Sequence, residues 1–319
     1  MHCHKTLELV TFVPVQVERA PLVSEPFAHM AVAYGSGEEY LKTVLPALLD
    51  GLRRGERTIL LGPEENLDLV RTALGADATR VELGLSQDWY GHPARTMAAY
   101  LDFARRNGPA RMICEPVWSS ARDAAEWAKI EAIANLAFAG IQATMMCVYR
   151  DPGEEVFRSH PWYLDGEAVR ASEPYLPPER MDWEQPAFES PPAEAEGLDF
   201  DLPGVRRMRA FVRDQAYAAG LERDEVTSLV LAAAEIAANA VEHGAGHGRV
   251  AVWRAGDELI CEITNPDAGI EVPFPGYIPP EHESLRGYGL WISRQLCDAM
   301  EVRTLDGKSC VRLHMRMTL

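Results

Sequence analysis

A chain of 319 residues is long enough for about two domains. Its 47% hydrophobic content supports packed cores, yet no apolar run is long and uncharged enough to span a bilayer. A net charge of −17 argues against nucleic acid as a direct partner, because a phosphate backbone calls for a basic stripe.

The six cysteines are scattered and form no Cys-x-x-Cys pair. Cys114 and Cys147 fall in apolar runs, as small buried hydrophobes do, and such usage fits a reducing cytoplasm. Met1-His2-Cys3-His4 lacks the apolar core of a secretion signal. The His-Cys-His triplet has metal-ligand chemistry, but a frayed terminus is the plainer reading.

After an N-terminal extension, residues 1–25, strands and helices alternate. Ala28–Ala33 reads as a strand. Glu38–Arg54 reads as a helix with Leu41, Val44, Leu45, Leu48, Leu49 and Leu52 on one face and Gly55 just beyond its end. Thr58–Leu61 is a short strand, and Gly62-Pro63-Glu64-Glu65-Asn66 opens a helix over Leu67–Leu74. Met97–Arg106 reads as a helix, Ala110–Cys114 as a strand, Ala121–Ala139 as a helix and Ala143–Val148 as a strand. This alternation predicts a largely parallel sheet. The turn after Leu61 has no Lys and no G-x-x-x-x-G-K-[ST] pattern. Glu64, Glu65 and Asp68 complement the helix dipole themselves and would repel a phosphate, so no nucleotide is expected there.

The stretch from Pro26 to Pro178 resembles the MEDS sensory domain, a RecA-like module without a working phosphate loop. The matching residues are His29 and Tyr34 ahead of Glu38-Glu39-Tyr40-Leu41, then Gly51-Leu52-Arg53-Arg54-Gly55-Glu56-Arg57 and Glu115-Pro116-Val117-Trp118. Glu126-Trp127, Glu131-Ala132, His160-Pro161 and Glu173-Pro174-Tyr175-Leu176-Pro177-Pro178 complete them. The resemblance implies a sensor of small, hydrocarbon-derived molecules. His29, Trp118, Trp127 and His160 are then candidates to line a pocket with apolar walls and a few polar groups for a small apolar ligand. Two core tryptophans and two satisfied histidines form the stronger competing reading.

Ser172–Gly197 holds Pro174, Pro177, Pro178, Pro186, Pro191 and Pro192 among acidic residues, the composition of a stiff, solvated linker. The domain division expected is 26–178, a linker at 179–197, and 198–319. In the last part, Arg206, Arg209 and Arg213 fall on one helical face, either a solvated face or a docking surface. Asp224–His243 is Ala-rich and helical. Within it Glu235 and Asn239 sit one above the other, with His243 a further step along. A carboxylate and a carboxamide on one face suit Mg²⁺ coordination and proton acceptance better than sheet packing. Arg249–Thr264 alternates like two strands joined at Gly256-Asp257, and a Pro-rich loop runs from Ile270 to Leu285. Arg286-Gly287-Tyr288-Gly289-Leu290 then opens a helix, Leu290–Leu296, with glycines that let backbone approach a phosphate. Strands Met300–Thr304 and Ser309–Met317, joined at Asp306-Gly307, complete a mixed antiparallel sheet with helices on one face.

This order resembles the GHKL ATPase domain with its Bergerat α/β sandwich, and within it the RsbW-like anti-sigma-factor serine kinases. The N box matches at Glu235, Asn239 and His243, and the second glycine box at Gly287, Gly289 and Leu290. The resemblance implies that Asn239 binds Mg²⁺ on the ATP phosphates and that Glu235 activates the attacking hydroxyl. It also implies that the glycines, with Arg286 and Tyr288 beside them, cradle the phosphates under a lid at Ile270–Leu285. The family's D-x-G element departs here to Asn265-Pro266-Asp267-Ala268-Gly269. Either Asn265 takes the adenine-reading position, or Asp267 and Gly269 do so after a two-residue slip. A neutral Asn accepts more weakly than a carboxylate. By the same resemblance Arg209 contacts a sigma factor or an anti-anti-sigma (STAS-type) partner, and homodimers are common among such domains. The Pro-rich segment before Asp199 cannot form the helical hairpin of a histidine kinase, so transfer to an outside hydroxyl fits better than autophosphorylation. A degenerate module acting by protein contact alone is the alternative.

Overall fold

The computed structural model describes residues 26–317 except 107, 119–120, 184–187, 267–268, 271–272, 281–286 and 306. The expectations placed on residues 1–25, Asp267, Arg286 and Asp306 therefore lie outside the described residues. The chain divides into two units. One comprises residues up to Gly91 with Tyr100–Ala124 and Phe138–Leu176; the other comprises His92–Ala99, Ala125–Ala137 and everything from Pro177.

In chain order the N-terminal elements are β1 (Phe27–Tyr34), α1 (Gly37–Arg54), β2 (Arg57–Gly62), α2 (Glu64–Leu74), β3 (Glu82–Leu85), α3 (Ser86–Trp89) and α4 (Pro93–Arg105). There follow β4 (Ala110–Cys114), α5 (Ala121–Ala137), β5 (Ala143–Arg150), α6 (Val156–Ser159), β6 (Trp162–Asp165) and β7 (Ala168–Ala171). The sheet runs β3-β2-β4-β5-β1-β6-β7, parallel except for the β6–β7 hairpin at its edge. β1 lies between β5 and β6, and seven of its eight residues are buried, which is why it reads as an almost unbroken apolar run.

Helix α1 shows how local chemistry sets its limits. Ser36 caps it by accepting from the Glu39 N–H at 3.3 Å. Glu38 and Glu39 occupy the first turn and Arg53 and Arg54 the last, each sign suited to its dipole end. Gly55 closes the helix in the left-handed conformation at φ 71°. The buried ridge is Tyr40, Val44, Ala47, Leu48 and Leu52, flanked by the half-buried Leu41, Leu45 and Leu49. Three strands escape the sequence pattern. β3 has four residues and a glycine, and β6 and β7 carry the mixed polarity of a half-exposed edge, turning at Gly166 with φ 60°.

The turns at the carboxyl ends of β1, β2 and β4 hold a polar triangle. Tyr34 donates to Glu115 Oε1 at 2.6 Å, and Asn66 donates to Glu115 Oε2 at 2.8 Å and to the Tyr34 hydroxyl at 3.0 Å. Burial pushes the Glu115 carboxyl up, against the hydrogen bonds that pull it down. A carboxyl group thus occupies the crevice where open α/β sheets commonly place a ligand.

The second unit contains β8 (Glu196–Asp201), α7 (Val205–Ala218), α8 (Arg223–Glu242), β9 (His247–Ala255), β10 (Glu258–Asn265), α9 (Tyr288–Leu296), β11 (Ala299–Leu305) and β12 (Lys308–Arg316). Its sheet order is β11-β12-β10-β9-β8, antiparallel throughout. The β9–β10 hairpin turns at Gly256-Asp257, with Gly256 at φ 62°. β8 begins at Glu196, inside the acidic run that reads as linker. Helix α8 starts one residue earlier than its pattern suggests because Glu222 and Glu225 form a capping box, with the Glu225 carboxylate accepting from the Glu222 N–H at 2.8 Å. Val226, Leu229, Ala233, Ile236 and Ala237 of α8 join Leu259, Cys261 and Ile263 of β10 and Val311 and Leu313 of β12 in one core. Among the described residues, no helix is long and apolar enough to cross a membrane.

Candidate functional site

The small side chains of α8 bury one stripe and leave Glu235, Asn239 and His243 on a side not committed to the sheet. Glu235 is exposed, Asn239 half-buried, and His243 is the exposed residue that ends the helix, its N–H donating to Asn239 O at 3.0 Å. Helix α9 meets α8 on that side. Ser293 donates to Ala232 O at 3.3 Å, and one turn earlier Gly289 lies against the acid and the amide. A Cβ placed on Gly289 would stand 3.0 Å from Glu235 Oε2 and 3.2 Å from Asn239 Nδ2. Without a side chain at this position, α9 backbone comes this close to the pair while leaving both in place.

The start of α9 has a geometry compatible with an anion. Its N-cap, Gly287, is left-handed at φ 94° and offers no side-chain cap. The first-turn N–H groups of Tyr288, Gly289 and Leu290 have no i−4 carbonyl inside the helix and carry the positive end of its dipole. Next to them lies a cavity of about 460 Å³, within the range usual for small-ligand sites. Asn239, His243, Asn265, Gly269, Gly287 and Leu290 line it together with Ile236, Ile263 and Trp291, so it pairs a polar end with apolar walls. Of the residues singled out in sequence, Tyr288 is half-buried in the first turn of α9, while Asp267 and Arg286 lie outside the described residues.

Asn265 ends β10 with the same parity as Leu259, Cys261 and Ile263, which puts it on the helix-facing side of the sheet. It is 5% exposed and its Oδ1 accepts from the Ala245 N–H at 3.4 Å. Gly244 makes room for it, since a Cβ there would collide with the Asn265 amide.

The loop over the cavity is fastened at two places. At one end the Ile270 N–H donates to Thr304 Oγ1 at 3.0 Å. Further along, Arg294, 4% exposed, donates to Pro275 O at 3.0 Å and to Met300 O at 2.8 Å, and its guanidinium stacks 3.6 Å from the Tyr277 ring centroid. Gly276, at φ 74°, lies so near α9 that a Cβ would stand 2.5 Å from Leu290 O. Sequence reasoning missed Arg294 and Tyr277. The available signal was one arginine inside the otherwise apolar Leu-Trp-Ile-Ser-Arg-Gln-Leu helix.

Arg206, Arg209 and Arg213 are exposed on α7 and, with Arg207, Pro203, Ala210 and Val230, line an open groove. Arg213 pairs with Asp214 at 2.8 Å. In the first unit, His29 and His160 come together with ring centroids 4.2 Å apart and are 1% and 0% exposed. Trp127 is buried at 2%, whereas Trp118 stands 49% exposed.

The second unit thus has the layered α/β fold of a GHKL-type ATPase domain. Residues 199–315 match the family model of the histidine kinase-like ATPase domain, and residues 28–161 match that of the MEDS (MEthanogen/methylotroph, DcmR Sensory) domain. The chain carries a MEDS domain followed by a histidine kinase-like ATPase domain. No curated protein matches it. Among solved structures it is similar to the RsbU and RsbW domains of a Mycobacterium tuberculosis protein, with 20% identity over 39% of this chain and a TM-score of 0.30. That match spans only 32% of the other chain's length.

Proposed function

We propose that the chain is a cytoplasmic signalling regulator whose second unit binds ATP with Mg²⁺ and phosphorylates a serine or threonine of a partner protein, in the manner of an anti-sigma-factor kinase. The observation that carries this reading is the approach of Gly289 to Glu235 and Asn239. It sets a carboxylate and a metal-competent amide against the first turn of α9, and Asn239, Gly287 and Leu290 of this group line the neighbouring cavity. Asn239 would hold Mg²⁺ on the phosphates, and the α9 N–H groups would receive the phosphate oxygens. The adenine would lie toward Asn265 and Gly269, between the apolar walls. In the transfer, the partner's hydroxyl oxygen bonds to the γ-phosphorus as the bond to the β–γ bridging oxygen breaks. The hydroxyl proton passes to the Glu235 carboxylate, and ADP leaves. The exposed arginines of α7, Arg209 in particular, suit an acidic docking surface on a sigma factor or an anti-anti-sigma protein.

A fluorescent ATP analogue titrated with and without Mg²⁺ tests the reading. Saturable, Mg²⁺-enhanced binding supports it, and Glu235→Ala should keep that binding while losing transfer to the partner. Absence of binding would leave the second reading, a module that acts by contact alone. One observation favours that alternative: Asn265 stands at the end of β10 with its carbonyl already bonded to the chain's own Ala245 N–H.

A further inference from the structure

We propose that the first unit binds a soft transition-metal cation, with Zn²⁺ as the reference ion, through His29, Cys147 and His160. This site is independent of the ATP reading. His29 is on β1 and Cys147 on the adjacent β5, where the register pairs His29 with Met145 and Ala31 with Cys147. Two residues beyond Met145, Cys147 points to the same face as His29. His160 ends α6 just before β6, the strand on the other side of β1. Sheet and turn thereby converge three ligand-type side chains that are 1%, 1% and 0% exposed.

Their donor atoms lie close to the spacing that a metal requires. His29 Nε2 lies 3.3 Å from Cys147 Sγ, and the ligand atoms of the group all fall within 4.8 Å of one another. Bond lengths of ~2.3 Å to sulfur and ~2.0 Å to nitrogen at a tetrahedral angle put S and N about 3.5 Å apart. Side-chain adjustments of about an ångström would bring the three donors onto three of the four tetrahedral positions. The His160 tautomer also fits. Its Nδ1 is 2.7 Å from Val156 O, an atom that can only accept, so the proton resides on Nδ1 and the lone pair on Nε2. Ligand histidines are commonly oriented by such a backbone carbonyl. The donor set decides the class of ion: thiolate with imidazoles selects Zn²⁺ or Cu⁺ over Mg²⁺ and Ca²⁺. A thiol hydrogen-bonded to an imidazole is the simpler occupant of the same space, and metal uptake distinguishes the two.

The experiment uses the full chain with His2, Cys3 and His4 changed to alanine, which removes the other His–Cys cluster of the sequence. After chelator treatment and dialysis against micromolar Zn²⁺, one equivalent should remain, and the melting temperature should rise. Co²⁺ in place of Zn²⁺ should give a thiolate-to-metal charge-transfer band. Cys147→Ala should abolish that band, and Cys147→Ala and His160→Gln should each weaken Zn²⁺ binding at least 100-fold while the metal-free proteins still melt cooperatively. Should either variant fail to fold, the Co²⁺ band of the parent decides. No retained metal, no thiolate band, or full Zn²⁺ uptake by Cys147→Ala would overturn the proposal.

Discussion

Gly289→Ala separates the site from the fold. Gly289 is the second residue of α9 and has ordinary helical backbone, so alanine suits it locally and improves helix propensity by up to about 1 kcal/mol. The added methyl would stand 3.0 Å from Glu235 Oε2 and 3.2 Å from Asn239 Nδ2, inside normal van der Waals contact. Both neighbours are ends of flexible side chains. They can yield by a few tenths of an ångström, so folding should change by no more than about 1 kcal/mol, or ~2–4 °C in melting temperature. Binding should not survive so well. The methyl occupies the approach to the α9 N–H groups and turns the amide away from its metal position, which should weaken ATP at least tenfold, about 1.4 kcal/mol. The assay pairs isothermal titration of Mg²⁺-ATP with thermal melts of the same samples. ATP at a hundred times its Kd for the parent should add ~2.7 kcal/mol of stability, of which the variant should forfeit about half or more. Unchanged ATP affinity in a variant that melts like the parent would refute the placement of the phosphates.

Gly276→Ala should act differently, because its φ of 74° is strained for alanine and its Cβ would meet the fixed Leu290 carbonyl at 2.5 Å. A loss of about 1–3 kcal/mol is expected in denaturant melts, together with faster proteolysis of the loop. His314 should give the second unit a pH-dependent stability. Burial pulls its pKa down, but hydrogen bonds to Glu258 at 2.9 Å and Glu301 at 3.2 Å outweigh that and leave it above 6.5. The stabilisation is therefore complete below the unfolded pKa and declines as pH rises through the higher folded value. Melting temperature measured from about pH 6 to 9 should fall more in the parent than in His314→Gln. Arg209→Glu should weaken partner capture without altering ATP binding, as paired pull-down and nucleotide titrations would read.

Much of the second unit was legible because its signals are local. The spacing of Glu235 and Asn239 places them on one helix face whatever surrounds them, and the alternation around Gly256-Asp257 defines a hairpin. The first unit was legible where strands are buried on both faces, as in β1, and illegible where they are short and lie at or next to an edge, as in β3, β6 and β7. The glycine at 289 was visible as backbone freedom, but nothing in sequence said which side chains it would meet.

The chain's linear pattern thus determined periodicity, caps and turns, since each depends on residues a few positions apart. Tertiary structure alone decided the pairings across long separations. Gly289 reached an acid and an amide on another helix, Arg294 tied the Pro275 carbonyl to β11, and His29 came within 3.3 Å of a sulfur 118 residues away. Helix and strand periods fix where a side chain points along its own element, while its neighbours depend on sheet order and helix packing, which only the folded chain supplies.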